Sequence, residues 1–236
     1  MSARAPKRRP LDLIHQDERW VAVDKPAGIP VHGGAGKTGP SVIERLQDEL
    51  GAKLHLVHRL DRATQGVLLL SRDPRDAAWL SERWPAVEKS YGAIVSGHPA
   101  APRRFDRALR DPDGRAKPAR TRLTSARSLG GVFSASVCSL HLETGRLHQI
   151  RRHLAEAGHP VLMDPKYGDF EKNRSFAEAV RAAGGPRPKH LLLWCRSLRF
   201  PELEGAPPPL ASDLPRIWRA ILDLTDLSVD DIQGLT

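Results

Sequence analysis

Residues 66–71, Gly-Val-Leu-Leu-Leu-Ser, constrain the fold more than any other stretch of the chain. The run is apolar without a period-2 alternation and has the length of one strand, so both its faces need cover. Helix signals stand on either side of it. Ser41 opens SVIERLQDEL with Glu44 three residues on, a capping box, and Val42, Ile43, Leu46 and Leu50 form an apolar face that Gly51 ends. Beyond the run, Asp73-Pro74 provides an N-cap and first turn for a helix carrying Ala77, Leu80 and Trp84, with Pro85 as its stop. Residues 19–23, 91–95 and 133–142 read as strands, and 24–34 and 97–118, rich in proline and glycine or charge, as loops. Residues 147–157 read as a helix with Leu147, Ile150, Leu154 and Ala157 on one face and His148, Arg151, Arg152 and Ala155 toward the other. Helix, strand and helix follow at 173–183, 189–200 and 215–224. No repeat and no βαβ period recurs, which favours an α+β fold with a mostly antiparallel sheet. The expected organisation is a basic arm at 1–10, one domain at 11–225 and a tail at 226–236.

Of 236 residues, 37 are Lys or Arg and 28 Asp or Glu, a formal charge of +9, and the basic set divides into 28 Arg and 9 Lys. Guanidinium suits bidentate phosphate contacts and stacking on bases, so the excess fits a nucleic-acid partner as well as plain solubility. No apolar run approaches a membrane span, and no secretory leader is visible at the N-terminus. Cys138 and Cys195 are too few for a disulfide framework and lack zinc spacing, which fits a reducing cytoplasm. Walker, dinucleotide, nucleophile-elbow and zincin motifs are absent. His148, His153 and His159, five and six apart, do not share one helical face as metal ligands.

Two segments remain unusual. In His58-Arg59-Leu60-Asp61-Arg62 a carboxylate lies among cations directly before the apolar strand, with Thr64 and Gly66 following. An ionised Asp so placed can act as a nucleophile, although a loop-holding salt bridge is the commoner role of such a residue. The second, residues 142–154, reads as strand, turn and basic helix.

HRLDRATQG (58–66) resembles the signature of the RluA-type RNA pseudouridine synthases, and LETGRLHQIRRHLAEAGHPVLMDPKYGD (142–169) resembles their third motif. DKPAGIPVH (24–32) and KSYGAIVSG (89–97) are weaker matches in the family's order. The resemblance implies isomerisation of a uridine in RNA to pseudouridine, on an α+β fold with a mixed, largely antiparallel sheet and flanking helices, without cofactor or metal. It makes Asp61 the nucleophile, attacking either the sugar or the base ring. Tyr91 becomes the active-site tyrosine that stacks on the target base, and Arg151 the arginine that pairs with the aspartate and keeps it ionised. Arg59 corresponds to a residue that fills the gap left by a flipped nucleotide. His58, Arg62, Thr64, Arg146, His148, Gln149 and Arg152 are the remaining substrate-binding candidates.

The sequence departs from the pattern at Gln65, where Ser is usual, at Met163, where Gly commonly precedes the aspartate, and at Leu193-Trp194-Cys195, in place of Leu-His-Ala. No separate N-terminal RNA-binding domain of the S4 type is expected, and a monomer is. The substrate implied is 23S ribosomal RNA or tRNA, since YGDFEKNRS (167–175) resembles members of both groups. A non-catalytic RNA-binding or ribosome-assembly protein on the same fold is the alternative, and a nucleoside hydrolase a remote third.

Overall fold

The computed structural model describes residues 9–33, 39–201 and 203–233. Most of the expected basic arm, including Arg4, Lys7 and Arg8, lies outside them, as does Gly34. In chain order the elements are β1 (Leu13–Gln16), β2 (Trp20–Lys25), α1 (Val42–Leu50), β3 (His55–Leu56), β4 (Gln65–Ser71), α2 (Pro74–Glu82), β5 (Glu88–Ser96), β6 (Arg103–Phe105), β7 (Leu109–Arg110), β8 (Ala116–Lys117), β9 (Thr121–Ser128), β10 (Ala135–Leu142), α3 (Gln149–Glu156), α4 (Phe170–Ala182), β11 (Leu193–Arg199), β12 (Leu210–Ala211), α5 (Arg216–Leu222) and α6 (Asp230–Gln233).

The apolar run is the inner strand β4, with Val67, Leu68, Leu69 and Leu70 all fully buried. Each contributes about 1.5–3 kcal/mol relative to exposure. It pairs antiparallel with β2 and parallel with β11 in a sheet ordered β1-β2-β4-β11-β5-β10-β9-β6, so the sheet is mixed but largely antiparallel. Gly66 permits the parallel pairing. Its φ is +107°, and a Cβ there would fall onto the backbone carbonyl of Cys195, so no other residue fits without moving a strand.

The alternation of β5 and β10 divides the core. Tyr91, Ala93 and Val95 join Cys138 and Leu140 in a cluster with residues of α1, α2 and α3. Ile94 joins Ala135, Val137 and Trp194 in a second cluster against α4, α5 and α6. Helices thus cover both sides of the sheet. Both predicted N-termini form: Ser41 and Glu44 close a capping box, and the Asp73 side chain accepts from the Arg75 amide.

Several elements differ from the sequence reading. α2 ends at Glu82, and Trp84 belongs to a short 3-10 turn over Trp84–Ala86. Residues 97–118 are not all loop: β6 extends the sheet edge, and β7 and β8 form a hairpin closed by the Asp111–Gly114 turn. β9 was not visible in the sequence, because Leu123 and Ala126 are the apolar residues available in TRLTSARS and the register skips Thr124 opposite Ser139 and Leu140, which breaks the alternation. The stretch 226–233 carries α6, whose Ile232 is buried in the second cluster rather than trailing free.

Candidate active site

Asp61 lies in the turn between β3 and β4, where the Thr64 amide donates to the Asp61 carbonyl at 3.1 Å. This turn is laced to the loop after β2. The Gly28 amide donates to the Arg62 carbonyl at 2.8 Å, and Arg62 Nε donates back to the Gly28 carbonyl at 2.8 Å. Lys25, fully buried, adds Nζ to the Arg62 and Pro26 carbonyls at 3.1 and 2.9 Å. Burial pushes its pKa down to about 7, against the attraction of the Asp61 charge. The turn that carries Asp61 is thereby held from below.

α3 supplies the cation. Arg151, only 4% exposed, donates Nη1 to Asp61 Oδ2 at 3.1 Å, while Nε and Nη2 make a bidentate pair with Asp164, both at 2.8 Å. Asp164 also accepts the amides of Lys166 and Tyr167. Burial opposes both charges, yet their mutual hydrogen bonds lower the Asp164 pKa and, with Asp61, raise that of Arg151. The periodicity sets Arg151 apart from the apolar face of the helix, yet it is buried, because Asp61 and Asp164 pair with it from elsewhere in the chain.

His148 caps α3 in a left-handed conformation, φ 54°, which aims Nε2 at Asp61 Oδ1, 3.7 Å away. Its Nδ1 meets the Tyr167 hydroxyl at 3.0 Å. Burial and the Arg151 and Lys166 charges lower its pKa, with Asp61 opposing. The same backbone turn removes Leu147 from the helix and leaves it 46% exposed, contrary to its expected place on the apolar face.

A cavity of about 290 Å³ opens here, lined by Arg59, Asp61, Thr64, Tyr91, Arg146, His148, Gln149 and Arg151 together with Leu60, Leu142, Leu147 and Leu193. It is of the size that encloses a small planar ligand. Tyr91 reaches it from the sheet, opposite Cys195 on β11, and burial, followed by contact with Cys195, raises its pKa well above normal. Arg59 is exposed at the rim. Arg146 is exposed too, with Nε on the Pro118 carbonyl at 2.9 Å.

Other candidates have different partners. His58 points away from the cavity, stacked on Trp84 with centroids 4.3 Å apart and accepting the Leu69 amide at 3.0 Å. Burial and Lys89 push its pKa down to about 3. Gln149 borders the cavity, but its side chain is occupied by Thr144, the Arg146 amide, the Arg120 carbonyl and Thr121. It organises the turn rather than offering a free group. Arg152 donates to the Arg110 carbonyl at 2.9 Å and so anchors the β7–β8 hairpin. His153 is buried, with its two nitrogens on Thr121 and the Arg107 carbonyl.

Lys25, Asp164 and Tyr167 were not singled out from the sequence, although all three lie inside quoted motifs. Met163 has φ 62°, which explains why glycine is common at that position.

The fold agrees with what comparison finds. Over 90% of the chain the structure matches a human protein titled RNA pseudouridylate synthase domain containing 4, covering 92% of it with TM-score 0.70 and 28% identity. A second human structure, RNA pseudouridylate synthase domain containing 1, shares the fold at TM-score 0.73 and 20% identity over 100% of this chain and 97% of that one. The architecture is that of an RNA-modifying isomerase. Residues 19–156 match the RNA pseudouridylate synthase family model, and the chain belongs to that family. It is 32% identical to tRNA pseudouridine synthase C of Haemophilus ducreyi over 80% of this chain and 85% of the relative, and 30% identical to that of Vibrio cholerae over 90% and 94%. It is also 32% identical to ribosomal large subunit pseudouridine synthase D of Zymomonas mobilis, over 71% of this chain and 59% of the relative.

Proposed function

We propose that the chain converts a uridine in a structured tRNA or 23S ribosomal RNA to pseudouridine, with Asp61 as nucleophile and Arg59 in the space left by the flipped nucleotide. The observation that carries this reading is the geometry of Asp61. Asp61 lines the cavity, with Oδ2 tied by Arg151 and Oδ1 3.7 Å from His148 Nε2 and accepting no hydrogen bond among the described residues. A carboxylate held at one oxygen by a buried guanidinium is oriented for attack with the other. Tyr91 supplies the wall against which the base stacks and a phenol that burial keeps protonated. Leaving the RNA stack costs a few kcal/mol, least in loops, and an exposed arginine at the rim suits a side chain that takes the vacated place.

Asp61→Asn is expected to lower pseudouridine formation by about 10⁴-fold or more, the scale of removing a covalent nucleophile. Single-turnover assay on RNA from cells lacking the gene checks this. Undiminished activity with a folded variant would refute the assignment.

A further inference from the structure

The side of the sheet away from the cleft carries a second concentration of cations. Arg104 on β6 stands opposite Arg122 on β9, Arg122 opposite His141 on β10, His141 opposite Ser90 on β5, and Ser90 opposite Ser197 on β11. Directly opposed residues share a face. Ser90 alternates with Tyr91, so the row faces away from Asp61. Arg199, two residues beyond Ser197, joins it opposite Glu88, and Arg196 occupies the bulge between Cys195 and Ser197. α4, α5 and α6 cover the other half of this face through Ile94, Val137 and Trp194. Along the row itself Arg104, Arg122 and Arg199 are exposed.

These cations are poorly neutralised. Arg104 shares Asp106 and Glu143 at 3.3 and 3.4 Å, whereas among the described residues no carboxylate lies within 4 Å of Arg122, Arg196 or Arg199. Arg122 stands directly opposite His141, and burial first, then the charges of Arg122, Arg196 and Arg199, lower the pKa of His141 against the pull of Glu88. Arg122 and Arg199 are three strand spacings apart across the sheet, about 14 Å, and two residues apart along it, which suits a chain of anions better than a single one. The edge strand continues the charge round to the cleft side, because Arg103 and Arg104 are consecutive and point to opposite faces.

We propose that this face is a second RNA-backbone surface, which holds phosphates of the substrate at a segment remote from the target nucleotide. The proposal rests on the RNA reading above. Arginine and hydroxyl donors on an open sheet face match phosphate oxygens, and a backbone that rounds the β6 edge meets cations throughout.

The test compares wild type with Arg122→Gln/Arg199→Gln in equilibrium binding of unfractionated tRNA, 23S ribosomal RNA and a short stem-loop across salt concentrations. On the long RNAs the slope of log affinity against log salt should become shallower by about 1.4–1.8, and affinity at low salt should fall about tenfold. Stem-loop binding should not change, and Arg122→Lys/Arg199→Lys should restore the slope. An unchanged slope on long RNA overturns the proposal, and so does an equal loss on the stem-loop. Assay of Asp61→Asn tests the catalytic reading separately, so either can fail alone.

Discussion

On the cleft side of the sheet Arg151 is buried and its guanidinium is shared between Asp61 and Asp164. On the far side Arg122 and Arg199 are exposed and, among the described residues, meet no carboxylate. The same residue type therefore serves opposite ends. A buried charge survives only if paired with good geometry, and the pairing fixes the position of whatever it touches. An exposed charge costs little to leave unpaired and remains available to a partner from solution. Within α3 the contrast recurs between neighbours, since Arg151 turns inward and Arg152 reaches the Arg110 carbonyl.

The largest expected effect tests the paired side. Asp164→Ala leaves Arg151 with one of its two carboxylates and should cost about 3–5 kcal/mol of stability in chemical denaturation. Activity should also drop about 10²-fold, as a displaced Arg151 lets Asp61 shift. A loss under 1 kcal/mol would show that the pair does not restrain the helix. Tyr167→Phe removes the hydroxyl that meets His148 and should cost about 0.5–1.5 kcal/mol, accompanied by a several-fold fall in single-turnover rate if His148 steadies Asp61. Arg122→Gln, on the unpaired side, should stay within about 0.5 kcal/mol of wild type. A large loss there would erase the contrast.

His58 provides a pH test of burial without a charge partner. Its pKa falls from 6.5 unfolded to about 3 folded, so between these values the unfolded chain binds more protons and stability declines as pH drops. The dependence is absent above the unfolded pKa. In His58→Asn the decline between pH 6.5 and 3 should be shallower, as followed by urea midpoints at several pH values.

Much of the local structure could be read in advance. The Ser41–Glu44 box and the Asp73-Pro74 start need only neighbouring residues, and both form. The unbroken Val67–Leu70 run reads as a buried strand by its length, and it is one. β9 could not be read, because Thr121 to Ser128 has little apolar alternation of its own and is held as a strand by pairing with β10 on one side and β6 on the other. For the site, motif resemblance brought Asp61, Tyr91 and Arg151 together, and they do line one cavity. The same resemblance could not tell that His58, three residues from Asp61, would face Trp84 instead.

The sequence by itself determined where two helices begin, which strand is buried and which residue types accompany the carboxylate, because these follow from spacing and short-range hydrogen bonding. Only the tertiary structure decided which arginine is buried, that Asp164 and Tyr167 complete the cluster, and which side of the sheet each cation faces. Burial and pairing depend on groups brought together from distant positions, 90 apart for Arg151 and Asp61, and no local pattern encodes that distance.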